Sequence, residues 1–451
     1  MNDRGPYAEP VDMLIVNGTV LTMDAYDRVI ENGSVAIKDA RIVFLGGAHA
    51  IDHTHANDVI DARGGIVMPG LINTHTHVPM TIFRGLADDL PLDAWLNQHI
   101  FPAEAAFIEN QNVAIGTQLA CAEMLLSGTT CFCDGYFLED QVAREVFKSG
   151  MRAVLGQGVI DFPAPGVPDP RDNIAAARRF VEMWCNQSAL IQPAIFCHSA
   201  YTCSAETLRA AKSAARNLGV LFQVHAAETS HEAGMIQSGQ GQSPVQHLSR
   251  HAILDANTLL VHGVWVDDDD IAIVKDSGAA VSHNPESNMK LGSGIAPLPK
   301  YLAAGIPVGL GTDGCASNND LDLLAEMDMT AKLHKVTLLD PSTADAHTVL
   351  KMATIEGARA IGLDSQIGSI EKGKQADLIV IDTQKPHLMP LYDPVSHVVY
   401  AARGSDVSDV MVAGKVLVRN RSLTTLDWED IRERVKALQA EIAAFNNRNR
   451  C

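Results

Sequence analysis

Short apolar runs with alternating polar positions lie near both ends of the chain and predict strands there. Between residues 12 and 60, the runs DMLIVNGTVLTM, SVAIKDARIVFLG and DVIDARGG are separated by Asn-Gly, Asp and Gly-Gly turn signals. Similar runs return only in GSIEKGKQADLIVIDT, residues 368–383, and VSDVMVAGKVLVRN, residues 407–420. Two β-rich flanks around a long middle predict one small β-sandwich domain built from both chain ends, with the middle as an insertion.

The middle of the chain alternates strand patterns with helical patterns such as SAETLRAAKSAARNLG and DDDIAIVKDSG. The predicted strands end near Thr74, Asp134, Ile160, Cys197, Val224, Val261, Ser282 and Thr312. Eight strands that alternate with helices predict an α/β fold of the (β/α)8 TIM barrel type, although a doubly wound open sheet gives a similar count. No GxGxxG follows the first strand, so the fingerprint of a dinucleotide fold is absent and the barrel is favoured.

These patterns divide the chain into four predicted parts. Residues 1–65 and 366–425 are expected to form the two parts of the β-sandwich, residues 66–365 the barrel, and residues 426–451 a C-terminal helix. A chain of 451 residues has room for a barrel of ordinary size and this smaller domain.

Charge and composition narrow the class of partner. The chain has 35 basic and 54 acidic residues, and its net charge of −19 disfavours binding to nucleic-acid backbones and anionic membranes. The start MNDRGPYAEP lacks the pattern of a signal peptide, and no uncharged apolar segment approaches the length of a membrane span, so we expect a cytoplasmic protein. The eight cysteines form no CxxC pair. Cys131 and Cys133 have the spacing of a ligand pair, but alternation in a buried strand explains that spacing at least as well.

The stretch IVMPGLINTHTHVPMTIFR, residues 66–84, carries an apolar strand pattern that ends in His75-Thr76-His77. Alternate side chains of a strand share a face, so these two imidazoles can point at one ion. Neutral imidazole is a good ligand for divalent transition metals. His53 and His55 have the same spacing, but no strand pattern leads into them. We therefore interpret the first pair as metal ligands and the second as surface histidines.

Residues able to bind a metal or a substrate follow the predicted strands one after another. They are His75, His77, His198, His225, His262, His283 and Asp313. One such residue alone is commonly structural, but the C-terminal ends of barrel strands carry the chemistry of this fold. A subset of three histidines and one aspartate suits zinc or a similar divalent ion, with one position left for water: His75, His77, His225 and Asp313. The fourth strand, QPAIFCHS, has no lysine to bridge two ions, so a single metal is predicted.

Glu228 lies three residues after His225 in HAAE, where its carboxyl group could face the same cavity. A metal ion lowers the pKa of a bound water from about 15.7 to about 7. Asp313 could accept that water's proton, and Glu228 could carry a proton to a ring nitrogen or a leaving group. The alternative for Glu228 is an N-cap or a solvated loop acid. The cytidine-type deaminase signature, HxE with PCxxC, is absent, so any deamination must use the barrel site.

The motifs PGLINTHTH, HAAE, VSHNPESNMKLGSGIAP and GLGTDGCASNN together resemble the amidohydrolase superfamily. Within it they are most similar to the 5'-methylthioadenosine/S-adenosylhomocysteine deaminase branch and the related chlorotriazine and guanine deaminases, from about residue 12 to about residue 420. The resemblance implies a metal-dependent barrel with a composite β-sandwich. It also implies these roles: His75, His77, His225 and Asp313 as metal ligands, Glu228 as proton shuttle to the purine ring, and His262 as the holder of the attacking water or tetrahedral intermediate.

The same resemblance implies a set of substrate contacts. LDAWL and FPAE look like the branch's substrate loop, so Trp95 would pack near the nucleoside and Glu104 would accept hydrogen bonds from the ribose hydroxyls. His198, in HSAYTCS, is similar to a substrate-contacting histidine. Without the resemblance, we would interpret Trp95 as a residue that packs its helix against the core and Glu104 as a solvated acid. His283 and Ser317 lie in family-like loops beside the site, as support or as direct contacts.

One position departs from the branch. Members that hold the amino-acid tail of S-adenosylhomocysteine have an arginine near the end of the third strand, where this chain reads GQGVID and has Gln157. Arg171 remains nearby as a possible partner of the carboxylate. Loss of one charge-assisted contact should weaken a zwitterionic tail more than a methylthio group.

The sequence thus predicts hydrolytic deamination of 5'-methylthioadenosine to 5'-methylthioinosine and ammonia, with adenosine and S-adenosylhomocysteine as weaker substrates. Attack at C6 with a proton from Glu228 to N1 would expel ammonia. We expect one divalent ion per subunit, most simply zinc. The resemblance also implies a homo-oligomer, dimer or tetramer. The alternatives are deamination of another aminated ring such as guanine, a pterin or a triazine, amide or ring hydrolysis, and a non-catalytic barrel scaffold.

Overall fold

The computed structural model describes residues 7, 9–52, 56–90, 92–236 and 242–449, so His53 and His55 lie outside the described residues. Two sheets organise the chain. The strands are β1 Val11–Leu21, β2 Val29–Lys38, β3 Arg41–Gly47, β4 Ala56–Asp61, β5 Ile66–Pro69, β6 Leu71–Thr76, β7 Thr129–Tyr136, β8 Arg152–Val159, β9 Ile191–Ser199, β10 Phe222–Ala226, β11 Thr258–His262, β12 Ala280–His283, β13 Val308–Leu310, β14 Leu378–Ile381, β15 Val407–Val412, β16 Lys415–Arg419 and β17 Ser422–Leu423.

Helices lie between the strands and after the last one. They are α1 Leu92–Ala94, α2 Phe101–Phe107, α3 Asn110–Ser127, α4 Glu139–Ser149, α5 Asn173–Trp184, α6 Ala205–Leu218, α7 Glu232–Met235, α8 Pro244–Arg250, α9 Asp268–Ser277, α10 Pro285–Lys290, α11 Leu298–Ala304, α12 Leu323–Leu338, α13 Ala346–Met352, α14 Ile355–Ala360, α15 Pro394–Tyr400 and α16 Trp428–Asn449. A π-helix, Trp95–Ile100, joins α1 to α2. In the described part of the chain, no helix is both long and apolar enough to cross a membrane.

Strands β6 to β13 form a parallel sheet in sequence order, with each strand paired to the next. The first and last strands also meet, because the backbone N–H of Asp313 donates to the carbonyl of His75 at 3.0 Å. Nearly every residue of these strands is buried, as expected for the packed interior of a barrel. The predicted (β/α)8 barrel is confirmed, and each predicted strand end lies within two residues of the observed one.

Strands from both chain ends form the second sheet, which we call the terminal sheet. Its strand order is β17-β16-β15-β14-β5-β1-β2-β3, and β4 also pairs with β1. The first half of β1 pairs in parallel with β4 and its second half with β5. Residues from both ends of the chain share one apolar core, including Val35 and Ile37 of β2 and Leu378 and Val380 of β14. The composite sandwich domain is therefore confirmed, while its boundaries at residues 65, 365 and 425 stay predictions.

The predicted first barrel strand is divided between the two sheets. Ile66–Pro69 pairs with β1 and β14 of the terminal sheet, and Leu71–Thr76 pairs with β7 of the barrel. Gly70 lies at the junction, where a Cβ atom would be only 2.1 Å from the Thr130 hydroxyl oxygen. The strand that carries His75 is thus anchored at its start by the terminal sheet.

Two further contacts brace the barrel from outside. The buried Arg152 guanidinium, at the start of β8, donates to Asp377 of the terminal sheet at 2.7 Å. The C-terminal helix α16 reaches the segment before α3, where the rings of Phe107 and Phe445 meet edge to face at 5.3 Å. Cys131 and Cys133 of β7 lie in an apolar core, and burial raises the pKa of Cys131 to about 12, so its thiol stays protonated.

Candidate active site and metal centre

Three histidine side chains converge at the carboxyl ends of two barrel strands. His75 and His77 lie at the end of β6, with alternate residues on one face of the strand, and His225 lies near the end of β10. One ring nitrogen from each lies within 4.8 Å of the others, and the Nε2 atoms of His75 and His225 are 3.1 Å apart. Nitrogens this close favour a shared positive ion.

Asp313 completes this donor set from the turn after β13. Its Oδ1 lies 3.5 Å from Nε2 of His75 and 3.3 Å from Nε2 of His77. Its Oδ2 accepts hydrogen bonds from the hydroxyls of Ser287 at 2.7 Å and Ser317 at 3.0 Å. The residue adopts φ of 62°, a left-handed conformation that turns the carboxylate back over the strand ends.

A divalent ion fits this set of donors. Ligands about 2.0–2.1 Å from a tetrahedral ion lie roughly 3.3 Å from one another, which matches the 3.1, 3.3 and 3.5 Å separations above. Nδ1 of His77 donates to the carbonyl of Gly135 at 2.6 Å, so its Nε2 keeps a free lone pair. The donors that would hold the ion are His75, His77, His225 and Asp313.

The ionisation states of the donors also fit a metal. Burial lowers the pKa of His75 to about 3 and lowers the pKa of His225 well below its ordinary range, so both rings are neutral at pH 7. Burial acts to raise the pKa of Asp313, but its hydrogen bond with His75 and the nearby histidines hold that pKa well below the usual range. Neutral imidazoles with one carboxylate are the protonation states that bind a divalent cation.

Glu228 and His262 face each other beside the donor set. Oε2 of Glu228 lies 3.8 Å from Nε2 of His262, and the Ser293 hydroxyl donates to Oε1 at 3.3 Å. Nδ2 of Asn288 donates to Nδ1 of His262 at 2.9 Å, so Nδ1 is the acceptor and the ring N–H lies on Nε2. Burial raises the pKa of Glu228 despite the opposing effect of His262. A carboxyl group with a raised pKa keeps its proton to a higher pH and can pass it on.

A cavity of about 340 Å³ opens over these residues. Its polar wall includes His77, His198, His225, Glu228, His262, Asp313 and Ser317. Its other wall is mainly apolar and includes Leu92, Trp95, Leu96, Ile100, Phe101, Phe137, Ile160, Phe162, Pro163 and Pro165. This size suits a small molecule with one polar end and one apolar end.

Three predicted substrate residues line this cavity. Trp95 is buried on the π-helix, a form that is rare and frequent at functional sites. Glu104 accepts a hydrogen bond from the Tyr136 hydroxyl, and burial raises its pKa to about 7. His198 lies with Nδ1 2.9 Å from the Thr202 hydroxyl. Glu104 is thus buried and not a solvated acid, whereas Trp95 both packs in the hydrophobic core and lines the cavity.

Gln157 and Arg171 are not brought to the cavity. Gln157 is buried, with Oε1 accepting the backbone N–H of Glu139 at 3.3 Å, so its amide faces the start of α4. The Arg171 side chain is 88% exposed and pairs with the neighbouring Asp169. Because its guanidinium is directed to solvent, the expected contact with a carboxylate tail has no support from its position.

Two residues expected beside the site have different surroundings. Ser317 lines the cavity and donates to Asp313, so it orients a proposed metal ligand and lies where it can contact a molecule in the cavity. His283 is buried away from the cavity wall, with Nε2 3.0 Å from Nε2 of His334. Its position indicates support of the strand end.

Several contacts were absent from the sequence-based prediction. Tyr136 binds Glu104, Ser287 orients Asp313, Asn288 sets the tautomer of His262, and Ser293 binds Glu228. Ser287, Asn288 and Ser293 all lie in the VSHNPESNMKLGSGIAP motif, which gave a signal for the region. Tyr136 follows a predicted strand end by two residues. The rule that barrel chemistry lies at the C-terminal ends of the strands would therefore have found it.

The barrel and its donor set define a metal-dependent barrel enzyme, and comparison with known proteins gives the family. Residues 66–417 match the amidohydrolase family, and the chain belongs to that family. A 5-methylthioadenosine/S-adenosylhomocysteine deaminase from Syntrophobacter fumaroxidans is 46% identical over 96% of this chain and 98% of its own length. A 5'-deoxyadenosine deaminase from Methanosarcina mazei is 42% identical over 97% of this chain and 99% of its own length.

A solved structure of an adenosine deaminase from Xanthomonas campestris, with bound zinc, superposes with a TM-score of 0.94. It is 36% identical and the match covers 97% of this chain and 100% of that chain. The family, this zinc-bound structure and the histidine triad together support a divalent metal ion in this protein.

Proposed function

We propose that this protein deaminates 5'-methylthioadenosine by hydrolysis to 5'-methylthioinosine and ammonia, with adenosine and S-adenosylhomocysteine as weaker substrates. The observation that carries the proposal is a cavity with a metal donor set and a buried acid at one wall and an apolar surface at the other. The relatives named for deamination of adenine nucleosides support the same reaction.

In this proposal one zinc ion per subunit is held by His75, His77, His225 and Asp313, whose spacing and protonation states suit it. When bound, such an ion supplies a nucleophile by lowering the pKa of a water from about 15.7 to about 7. Ser287 and Ser317 hold the carboxylate of Asp313 in place through its Oδ2.

The proton transfers belong to groups that the chain itself provides. Asp313, ionised in its buried position, accepts the proton released from the attacking water. Glu228, with a raised pKa, donates a proton to N1 of the purine ring, which makes C6 a better target. His262 has its N–H on Nε2 and donates a hydrogen bond through it to the oxygen that adds at C6. Asp313 then passes its proton to the amino group, which leaves as ammonia, and the proton of the hydroxyl now on C6 returns to Glu228 as the carbonyl forms.

Substrate contacts come from the opposite wall and from His198 of the polar wall. Glu104 accepts hydrogen bonds from the ribose hydroxyls, and the Tyr136 hydroxyl fixes the direction of its carboxyl group. Trp95 packs on the nucleoside, and His198 contacts it from the end of β9. A free base such as guanine has no ribose for Glu104, and it leaves the apolar wall uncovered, so the rival ring substrates are disfavoured.

The preference for the methylthio group rests on the wall that would face the 5' substituent. Phe101 lies one helical turn before Glu104 on α2, so both side chains share a face. Its ring meets that of Phe162 at 6.1 Å. No lysine or arginine occurs among the described residues that line the cavity. A neutral apolar substituent should therefore bind better there than a zwitterionic amino-acid tail, whose charges would lose water without a partner.

A second candidate substrate has the same support. 5'-Deoxyadenosine also presents an apolar group at the 5' carbon, and a relative at 42% identity is named for its deamination. We propose it as a substrate that binds the same wall through a smaller group.

We propose that the protein works in the cytoplasm as a homo-oligomer, a dimer or tetramer. The cysteines of the described chain, from Cys121 to Cys315, are free thiols, which suits a reducing compartment. Light scattering on the purified protein tests the subunit count, and a monomer at micromolar concentration would overturn that part.

The proposed reaction is tested by loss of the adenine absorbance in the ultraviolet, with zinc-loaded protein and each nucleoside in turn. We expect kcat/KM to be highest for 5'-methylthioadenosine and lower for adenosine and S-adenosylhomocysteine. Equal values for 5'-methylthioadenosine and S-adenosylhomocysteine would contradict the apolar-wall argument. No change with any nucleoside, but turnover of guanine or a triazine, would contradict the substrate class.

A further inference from the structure

The turn that carries the proposed proton donor has an unfavourable backbone conformation. It runs from His225 to Glu228, and Ala227 within it adopts φ of 56°, a region that residues with a Cβ atom rarely occupy. The carbonyl of Ala227 accepts the backbone N–H groups of Val264 and Trp265 at 2.9 and 2.8 Å. The direction in which Glu228 leaves the turn therefore depends on contacts from outside the turn.

Glu232 supplies such a contact from the first residue of α7. Its side chain turns back, and Oε2 accepts the backbone N–H of Glu228 at 2.9 Å. Glu232 is only 1% exposed and does not line the cavity. Its Oε1 is buried with no hydrogen-bond partner among the described residues. Burying a carboxyl group in this way costs free energy, and its hydrogen bonds end on the backbone of Glu228 and of the neighbouring Ala227.

The carboxyl group of Glu228, by contrast, is held loosely. Its contacts are the Ser293 hydroxyl at 3.3 Å and Nε2 of His262 at 3.8 Å, both at the long end of polar contact distances. The backbone position of Glu228 must then decide where its carboxyl group lies. A small displacement of a reacting group can reduce the rate by a large factor.

We propose that Glu232 is a positioning residue that fixes the backbone of Glu228 and so aims its carboxyl group at the substrate ring. Glu232 touches neither the cavity nor the metal donors, and it acts only through Glu228. The proposal rests on the proposed function in one respect, which is the proton transfer assigned to Glu228.

The protonation state of Glu232 makes the test sharper. Burial raises its pKa to about 8, so the carboxyl group is mainly neutral at pH 7. A glutamine has the same shape, the same charge and an oxygen that can accept the Glu228 N–H. Glu232→Gln should therefore keep kcat within about 3-fold of the natural protein, whereas Glu232→Leu should lower kcat by about 10- to 100-fold with KM within about 3-fold.

A double-mutant cycle separates positioning from a general loss of structure. In a Glu228→Gln background the proton donor is already absent, so adding Glu232→Leu should change the residual rate by less than about 2-fold. Zinc content, measured by atomic emission, should be equal in all four proteins. If the two losses multiply, or if Glu232→Gln is as damaging as Glu232→Leu, the proposal is wrong.

Two further variants keep the test decisive. If Glu232→Leu does not fold, Glu232→Asp replaces it, since a side chain one methylene shorter cannot reach the Glu228 N–H, and the same loss of kcat is expected. Asp377→Asn is the matched control, because it disturbs another buried acid that is far from the site. Asp377 lies 2.7 Å from Arg152 at the start of β8, whereas the site lies at the carboxyl ends of the barrel strands. It should lower the melting temperature and leave kcat unchanged. An inactive natural protein would contradict the proposed function itself, whereas an active protein with multiplicative losses contradicts only the role of Glu232.

Discussion

The two walls of the cavity are built from different parts of the fold. Residues of the polar wall, such as His225 and Asp313, lie at or just after barrel strands, and hydrogen bonds to neighbouring strands and turns hold several of them. Much of the apolar wall comes from connecting segments, including the π-helix Trp95–Ile100 and the loop that carries Phe162. One wall is therefore fixed by the barrel itself, and the other depends on how connections pack across its mouth.

This difference suggests that the polar wall carries out the chemistry and the apolar wall determines which nucleoside is preferred. Groups on strand ends hold their geometry because the sheet holds the backbone, whereas connecting segments can change without disturbing the sheet. Substitutions in the polar wall should then lower kcat for every nucleoside alike. Substitutions in the apolar wall should alter the ratios of kcat/KM between nucleosides.

The largest effect is expected from loss of the metal. Dialysis against a chelator should abolish turnover of all nucleosides, and added zinc should restore it. His225→Ala removes one of the four donors, so zinc content at equal free zinc should fall together with activity. The checks are atomic emission and the ultraviolet assay, and full activity in the chelated protein would contradict the proposed metal site.

Glu228→Gln should have the next largest effect. Loss of a general acid lowers kcat by about 10² to 10⁴-fold, and the factor should be the same for 5'-methylthioadenosine and adenosine because N1 is common to both. Zinc content should not change, since Glu228 is not among the proposed donors. Wild-type turnover by this variant would remove Glu228 from the mechanism.

Glu104→Ala tests the contact with the ribose. A hydrogen bond to a charged group contributes about 1.5–3 kcal/mol, so kcat/KM for nucleosides should fall by about 10- to 100-fold. Glu109→Ala, at an exposed acid five residues further on, is the matched control and should have no effect. An equal loss in both variants would show that the fall in kcat/KM comes from disturbance of this segment of the chain and not from lost ribose binding.

The pH dependence of KM sharpens this prediction. Burial raises the pKa of Glu104 to about 7. As the pH falls through about 7, the carboxyl group gains a proton and loses acceptor capacity, so KM for the nucleoside should rise. In Glu104→Gln the side chain does not titrate, and KM should stay flat over the same range. A rise of the same size in both proteins would assign the pH effect to another group.

The smallest expected effect concerns the apolar wall. Phe162→Arg places a cation where the 5' substituent is expected, and the ratio of kcat/KM for S-adenosylhomocysteine to that for 5'-methylthioadenosine should rise by about 10-fold. Phe147→Arg, at an exposed phenylalanine of α4, is the control and should leave the ratio unchanged. An unchanged ratio in Phe162→Arg would mean that the 5' group lies elsewhere.

The sequence carried enough information for most of the polar wall because its histidines lie at or directly after strand ends. His75 and His77 share a face because side chains alternate along a strand. Because the C-terminal ends of barrel strands meet at one face of the barrel, His225, His262 and Asp313 are expected beside them. These are local patterns, readable before any packing is known.

The apolar wall depends on packing between distant segments, which no local pattern encodes. The contact between Phe101 and Phe162 joins residues 61 positions apart, and the bond from Tyr136 to Glu104 spans 32 positions. Gln157 was expected near the substrate because it lies near the end of β8, but Ile160 is the residue there that lines the cavity. Which side chain at a strand end points into the cavity depends on the backbone conformation where the strand ends. The sequence alone does not specify that conformation.

The most direct test of the account is the product formed from 5'-methylthioadenosine by the zinc-loaded protein. Ammonia should be released in a one-to-one ratio with the loss of adenine absorbance, and mass spectrometry should find 5'-methylthioinosine with the glycosidic bond intact. Release of free adenine, or no ammonia under conditions where the protein holds zinc, would contradict the central claim.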